Sequence, residues 1–176
     1  MSNARPKPGY KAAQLWIVLL TPLVVILAST LLFYSGWLHP EDTTNKGELI
    51  SPPLDISALG LEQDDRRWWL LTASTAGCDA VCEEQLYWVQ QIHIRLGRES
   101  PRVSRSLLTA EPVALSQEFP GLHERQGNLD ALPMDEPVQL FVVDPNGNVM
   151  MKFNSDNSYE DVLDDINTLL SRSTIG

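Results

Sequence analysis

Residues 67–82, RWWLLTASTAGCDAVC, decide the fold. The apolar, aromatic-rich run Arg67-Trp68-Trp69-Leu70-Leu71-Thr72-Ala73 stops at the small and polar Ser74-Thr75-Ala76-Gly77, which predicts a buried strand. Strand neighbours point to opposite faces, so one of Trp68 and Trp69 is expected in the core and the other on the surface, open to a partner. After Cys78, the positions Val81, Cys82, Leu86, Val89, Ile92 and Leu96 recur every three to five residues, the spacing of a helix. Gly97 is placed to end it. Residues 102–110, RVSRSLLTA, read as a second strand. Strand, helix and strand in that order need a crossover, which makes the two strands parallel.

Downstream, residues 137–144, PVQLFVVD, are the strongest strand signal in the chain. Pro145-Asn146-Gly147-Asn148 is a hairpin turn, and residues 149–153 return antiparallel. Pro137 is expected as an ordinary trans proline at the start of its strand, although a cis proline often stands there in thioredoxin-like proteins. Ser158-x-x-Asp161 reads as a capping box, and the helix after it aligns Tyr159, Val162, Leu163, Ile166, Leu169 and Leu170 on one face. Its acidic residues Glu160, Asp161, Asp164 and Asp165 are expected on a solvated face, where a basic partner could dock. Residues 111–136 are expected to be irregular, with a short helix near residues 113–119. The fold class is α/β: a thioredoxin-like domain over residues 54–176, β-α-β followed by a β-hairpin and a helix.

Working back toward the N-terminus, residues 38–53 are polar and carry Pro40, Gly47, Pro52 and Pro53, a linker by composition. Residues 15–37, LWIVLLTPLVVILASTLLFYSGW, would span about 34 Å as a helix, enough for a hydrocarbon core of about 30 Å. Trp16 marks one end, and Tyr34 and Trp37 the other. A cleaved signal peptide has a shorter apolar run; here Leu31-Leu32-Phe33-Tyr34 continues past the small Ala28-Ser29-Thr30. One uncleaved transmembrane helix is expected over residues 12–37, with residues 1–11 as a basic cytoplasmic tail. The positive-inside rule then puts the C-terminal domain outside the cytoplasm, periplasmic if the anchor lies in a bacterial inner membrane.

The charge balance agrees. Overall there are 13 Lys+Arg and 23 Asp+Glu, a net −10. All charges in the first 40 residues are basic (Arg5, Lys7, Lys11), so the remainder holds ten bases against 23 acids, about −13. Such a body repels phosphate backbones and excludes nucleic acid as a partner. Two cysteines cannot build a disulfide framework. There is no Ser-His-Asp pattern, phosphate loop or His-rich cluster.

Cys78 and Cys82 stand where a strand ends and a helix begins, and positions four apart are neighbours on a helix. A helix N-terminus favours the thiolate, the reactive form. Thiolates also select Cu(I) over hard cations. Dithiol/disulfide exchange and copper binding both fit, and a structural disulfide is the third reading.

A strand, then G-C-x-x-x-C opening an amphipathic helix, then a strand ending in F-V-V-D-P-N-G, resembles the Sco/SenC family. The three-residue spacer is the specific part, because ordinary thioredoxin-like oxidoreductases have two residues between their cysteines. The resemblance implies a single-anchor protein of cytochrome c oxidase biogenesis, with an oxidase subunit or its assembly factors as partner. It also implies Cys78 and Cys82 as redox-active residues and as Cu(I) ligands. The chain departs from the family at the third copper ligand, a histidine, whose place falls on Glu136. The proline that follows the family's first cysteine is replaced by Asp79-Ala80. His93 lies too far along its helix to help, His123 is expected in a loop, and Met134 offers a thioether nearby. Without that histidine the resemblance favours thiol–disulfide exchange, Cys78 attacking and Cys82 resolving. The alternatives are a non-catalytic scaffold with a structural disulfide and a general thiol–disulfide reductase.

Overall fold

A computed structural model of the chain describes residues 9–34 and 45–175. Contacts divide the chain into two units, residues 1–43 and 44–176. In the first, helix α1 runs Gly9–Tyr34, and its stretch Ala13–Leu32 is long and apolar enough to cross a membrane. Pro22 interrupts the helix's donors, while Thr21 Oγ1 donates to the Ile17 carbonyl and Thr30 Oγ1 to that of Ile26, both at 2.7 Å. Such internal bonding is what a helix needs where water is absent. Arg5, Lys7 and Trp37 lie outside the described residues.

The second unit is an α/β domain with a thioredoxin-like fold. Its strands are β1 (Glu48–Asp55), β2 (Trp68–Ser74), β3 (Val103–Thr109), β4 (Leu122–Gln126), β5 (Val138–Val143) and β6 (Asn148–Phe153). They form one sheet in the order β1-β6-β5-β2-β3-β4. β2 runs parallel to β3, as the crossover through α2 (Ala80–Arg95) requires, and β3 runs parallel to β4. The other pairings are antiparallel, including the β5–β6 hairpin through the Asp144–Asn148 turn. Helix α3 (Tyr159–Arg172) starts from the expected capping box, in which Ser158 and Asp161 exchange backbone and side-chain bonds. Gly97, at φ +54, follows Leu96, the C-cap of α2, in the left-handed conformation a helix-ending glycine adopts.

Several expectations are corrected. The segment given to a linker, residues 38–53, is structured from Glu48 on, because β1 pairs with β6 at the sheet edge. Pro52 and Pro53 are tolerated there, at an edge with a register shift between Leu49 and Leu54. Residues 38–44 of that segment lie outside the described residues. No helix forms at residues 113–119, and residues 111–136 are not wholly irregular, since LHERQ forms β4. Its polar sequence lacks the alternation that reveals a half-buried strand, and backbone pairing to β3 alone defines it. Trp68 and Trp69 do point to opposite faces, yet both are buried, at 6% and 0% exposure. Trp68 packs under α2 and α3, with Val89, Ile92 and Ile166. Trp69 lies on the other face with Leu59, Leu71 and Phe141, covered by the turn Ile56–Leu59 and by Arg125, whose guanidinium stacks 4.0 Å from its ring. The sheet is covered on both faces, so neither indole is left for a partner.

Asp165 is also not on a solvated face. It is buried, and its Oδ2 accepts the amide N–H groups of Lys46 and Gly47, both at 2.8 Å. Helix α3 thereby ties down the entry to β1.

Candidate functional site

The β2–α2 junction is built by local geometry. After Ser74, Gly77 takes φ +82, a left-handed turn residue that aims the chain into the helix. The Ser74 hydroxyl donates to the Gly77 carbonyl and holds that turn. Asp79 caps α2: its Oδ1 accepts the N–H groups of Val81 and Cys82, each at 3.1 Å. Cys78 therefore precedes the helix and Cys82 sits in its first turn.

The two form a disulfide, with Cα atoms 5.0 Å apart. Cys82 is wholly buried against Leu86, Leu107 and Phe119, whereas Cys78 is partly exposed. Within the pair, Cys78 is the partly exposed residue and Cys82 the sheltered one.

Two segments fold over this pair. Thr75 donates its N–H to the Pro137 carbonyl at 3.0 Å, holding the entry to β5 against the cysteine turn. Pro137 follows a trans bond; the cis bond among the described residues is Ser51–Pro52. On the other side, Val113, Leu115 and Phe119 pack with the cysteines. That loop is fastened by Glu83, whose carboxylate accepts the Ser116 hydroxyl and the Ser116 N–H. These bonds, the hydroxyl's first, hold the Glu83 carboxyl below its ordinary value.

Beside the pair, a groove of about 500 Å³ runs between α2, α3 and the segment before β5. Val81, Trp88, Val138 and Tyr159 supply its apolar lining, and Glu84, Glu136 and Glu160 its charge. Val81 is 61% and Trp88 43% exposed, unusually open for such side chains. Val81, expected on the buried stripe with Cys82, Leu86, Val89, Ile92 and Leu96, lies instead with Trp88 on the groove-lining face, to which that stripe gives no clue. Val81, Gln85 and Trp88, spaced by four and three, share that second face, which the polar Gln85 hides from a search for apolar spacing.

The other ligand candidates do not gather at the cysteines. The ring Nε2 of His93 lies 3.0 and 2.9 Å from the carbonyls of Ser100 and Val103. His123 is exposed on β4 rather than in a loop. Met134 packs against the sheet face that holds Trp69, with Leu59 and Phe141, whereas Cys82 belongs to the α2 side. Glu136 accepts from Ser155. Among the described residues no group of three His, Cys, Asp or Glu could hold a metal ion. As a copper site, the donor set is two thiolates, and only when the pair is reduced.

A family model described as "Transmembrane-like, thioredoxin-like, C-terminal domain" matches residues 68–173, more than half of the chain. No curated protein matches it. Among solved structures, yeast Sco1 with copper bound is similar at 13% identity, covering 74% of this chain and 94% of that one, with a TM-score of 0.51. The apo Sco1 protein from Thermus thermophilus is similar at 16% identity, covering 74% and 99%, also at 0.51. A thiol:disulfide interchange protein from a Bacteroides species is similar at 10% identity, covering 75% and 95%, at 0.42. At such identities the likeness is one of fold.

Proposed function

This chain belongs to the transmembrane-like, thioredoxin-like C-terminal domain family, and we propose that it is a membrane-anchored thiol–disulfide exchange protein serving cytochrome c oxidase biogenesis. The observation that carries the redox half is the Cys78–Cys82 bridge at the start of α2, half accessible and half buried. The oxidase half rests on the three-residue spacer and the D-P-N-G strand end, which resemble Sco proteins, and on the shared fold of two Sco1 structures. In this reading α1 anchors the chain in an inner membrane, the basic tail stays cytoplasmic and the domain works outside.

Starting from the reduced pair, the Cys78 thiolate attacks one sulfur of a partner disulfide. That bond breaks, one partner thiolate leaves and takes a proton, and a mixed disulfide with Cys78 forms. Cys82, losing its proton, then attacks Cys78, the second partner thiolate leaves, and the bridge is restored. The partner gains two electrons and the pair loses two; a dithiol reductant outside the chain resets it. The groove beside Val81 gives a partner segment an apolar floor, and its Glu84, Glu136 and Glu160 suit a basic one. Copper is the lesser part of the proposal: the reduced pair offers two soft thiolates, and no step above depends on a metal.

The test is trapping in the native membrane. Cys82→Ser in the full chain is expected to accumulate a mixed disulfide through Cys78, with an oxidase subunit or an assembly factor as its partner. Absence of any Cys78-linked species, together with full oxidase assembly in Cys78→Ser/Cys82→Ser, would favour the scaffold reading instead. Trapped partners unrelated to the oxidase would make the chain a general reductase.

A further inference from the structure

Far from the cysteines, β3 carries a buried guanidinium with no carboxylate counterion. Arg105 is 6% exposed, and none of the ion pairs among the described residues includes it. Its Nη2 donates to the Pro120 carbonyl, while its Nε is buried with no acceptor. A buried cation left in this state is costly unless something compensates it.

The surroundings point to what that is. Arg105 lines a cleft of about 320 Å³ with Arg67, His93, Ser100, Ser104 and His123. No Asp or Glu lines it, although the rest of the chain beyond residue 40 is strongly acidic. The nearest acid to Arg67 is Asp65 at 3.9 Å, and that carboxylate already accepts from Ser104 Oγ at 2.6 Å and Trp69 Nε1 at 3.0 Å. The Pro120-Gly121 turn is shaped to the guanidinium: Gly121 has φ +76, and a Cβ there would stand 3.3 Å from Nη2. Cys82 lies 11 residues before His93 on the same helix, about 16 Å along its axis, so the cleft is separate from the redox pair.

We propose that this cleft is an anion site, taking a phosphate oxyanion on the Arg105 and Arg67 guanidinium groups. Guanidinium groups suit such an ion: Arg67, 49% exposed, offers its donors, Arg105 adds its uncompensated charge, and Ser100 adds polar lining. The phosphate comes either as the free ion or as a lipid headgroup, since the chain carries a helix able to enter a bilayer.

The test uses the full chain in phosphatidylcholine nanodiscs, with inorganic phosphate titrated calorimetrically and ionic strength held constant by chloride. Saturable one-site binding is expected. Arg67→Gln, whose parent side chain is 49% exposed and so leaves folding intact, is expected to weaken it about fivefold or more. Arg105→Gln, which removes the uncompensated charge, is expected to weaken it about tenfold. Protection of Arg67 from phenylglyoxal in phosphatidylglycerol nanodiscs, without response to the free ion, would assign the site to a headgroup. If neither source binds or protects, or if both variants behave as the parent, the proposal is overturned.

Discussion

Asp79 Oδ1 accepts the amide N–H of Cys82 at 3.1 Å, so α2 is capped from between its two cysteines. The cap holds the helix start in place, but it also occupies a donor that would otherwise favour a thiolate, and it sets a negative charge beside one. Asp79→Ala is expected to cost about 1 kcal/mol in denaturant unfolding, and Asp79→Asn much less because it still caps. Asp79→Asn also removes the charge. Alkylation of reduced Cys78 by iodoacetamide at neutral pH is therefore expected to quicken about threefold.

Glu83 fastens the loop that covers the pair, and its carboxyl is held low by the Ser116 hydroxyl and N–H. A lowered folded-state value stabilises above the unfolded carboxyl's value of about 4.3. That contribution is lost as pH falls through the still lower folded value. Amide protection in residues 113–119, corrected for the intrinsic pH dependence of exchange, is expected to be high at pH 6 and to fall as the medium is acidified below about pH 4. Glu83→Gln is expected to lower that protection at pH 6 and to flatten the pH dependence.

Asp165 and Gly47 form the tie between α3 and β1. Asp165→Ala leaves the N–H groups of Lys46 and Gly47 without their acceptor and is expected to cost about 2 kcal/mol or more. Gly47→Ala places a Cβ 2.7 Å from Met151 Sδ and Phe153 Cε1, an overpacking expected to cost about 1–3 kcal/mol. Urea unfolding of the full chain in detergent reads both, and an unchanged midpoint in either would remove the tie from the account.

The bridge itself closes a loop with a sequence separation of only 4. Chain-entropy arithmetic for so short a loop gives about 2 kcal/mol at most. Reduction, or Cys78→Ser/Cys82→Ser, is expected to leave the domain folded by near-UV circular dichroism, with a midpoint a few degrees lower. Unfolding on reduction would mark the bridge as structural.

The thioredoxin-like order was legible because its main elements obey period rules. The all-buried WWLLTAS run, the α2 stripe and the D-P-N-G hairpin each have a single reading. What stayed hidden depended on partners distant in the chain. β1 is written in a proline-bearing, polar-looking segment and exists through pairing with β6. β4 has no apolar alternation and exists through β3. Trp69 looked like half of an inside–outside pair because nothing in its neighbourhood announces that Arg125 and the Ile56–Leu59 turn will cover it. The cysteine pair was legible from spacing alone. Its roof at Val113, Leu115 and Phe119, and the unpaired Arg105, were not, because both arise from tertiary packing.

Whether the Cys78–Cys82 pair cycles is read from its reduction potential. Equilibration of the full chain against a graded dithiol/disulfide buffer, read by thiol alkylation, is expected to give a two-electron midpoint above about −300 mV, in the range of functional pairs. A midpoint below that value would mark a bridge that the compartment never opens, and would contradict the exchange function.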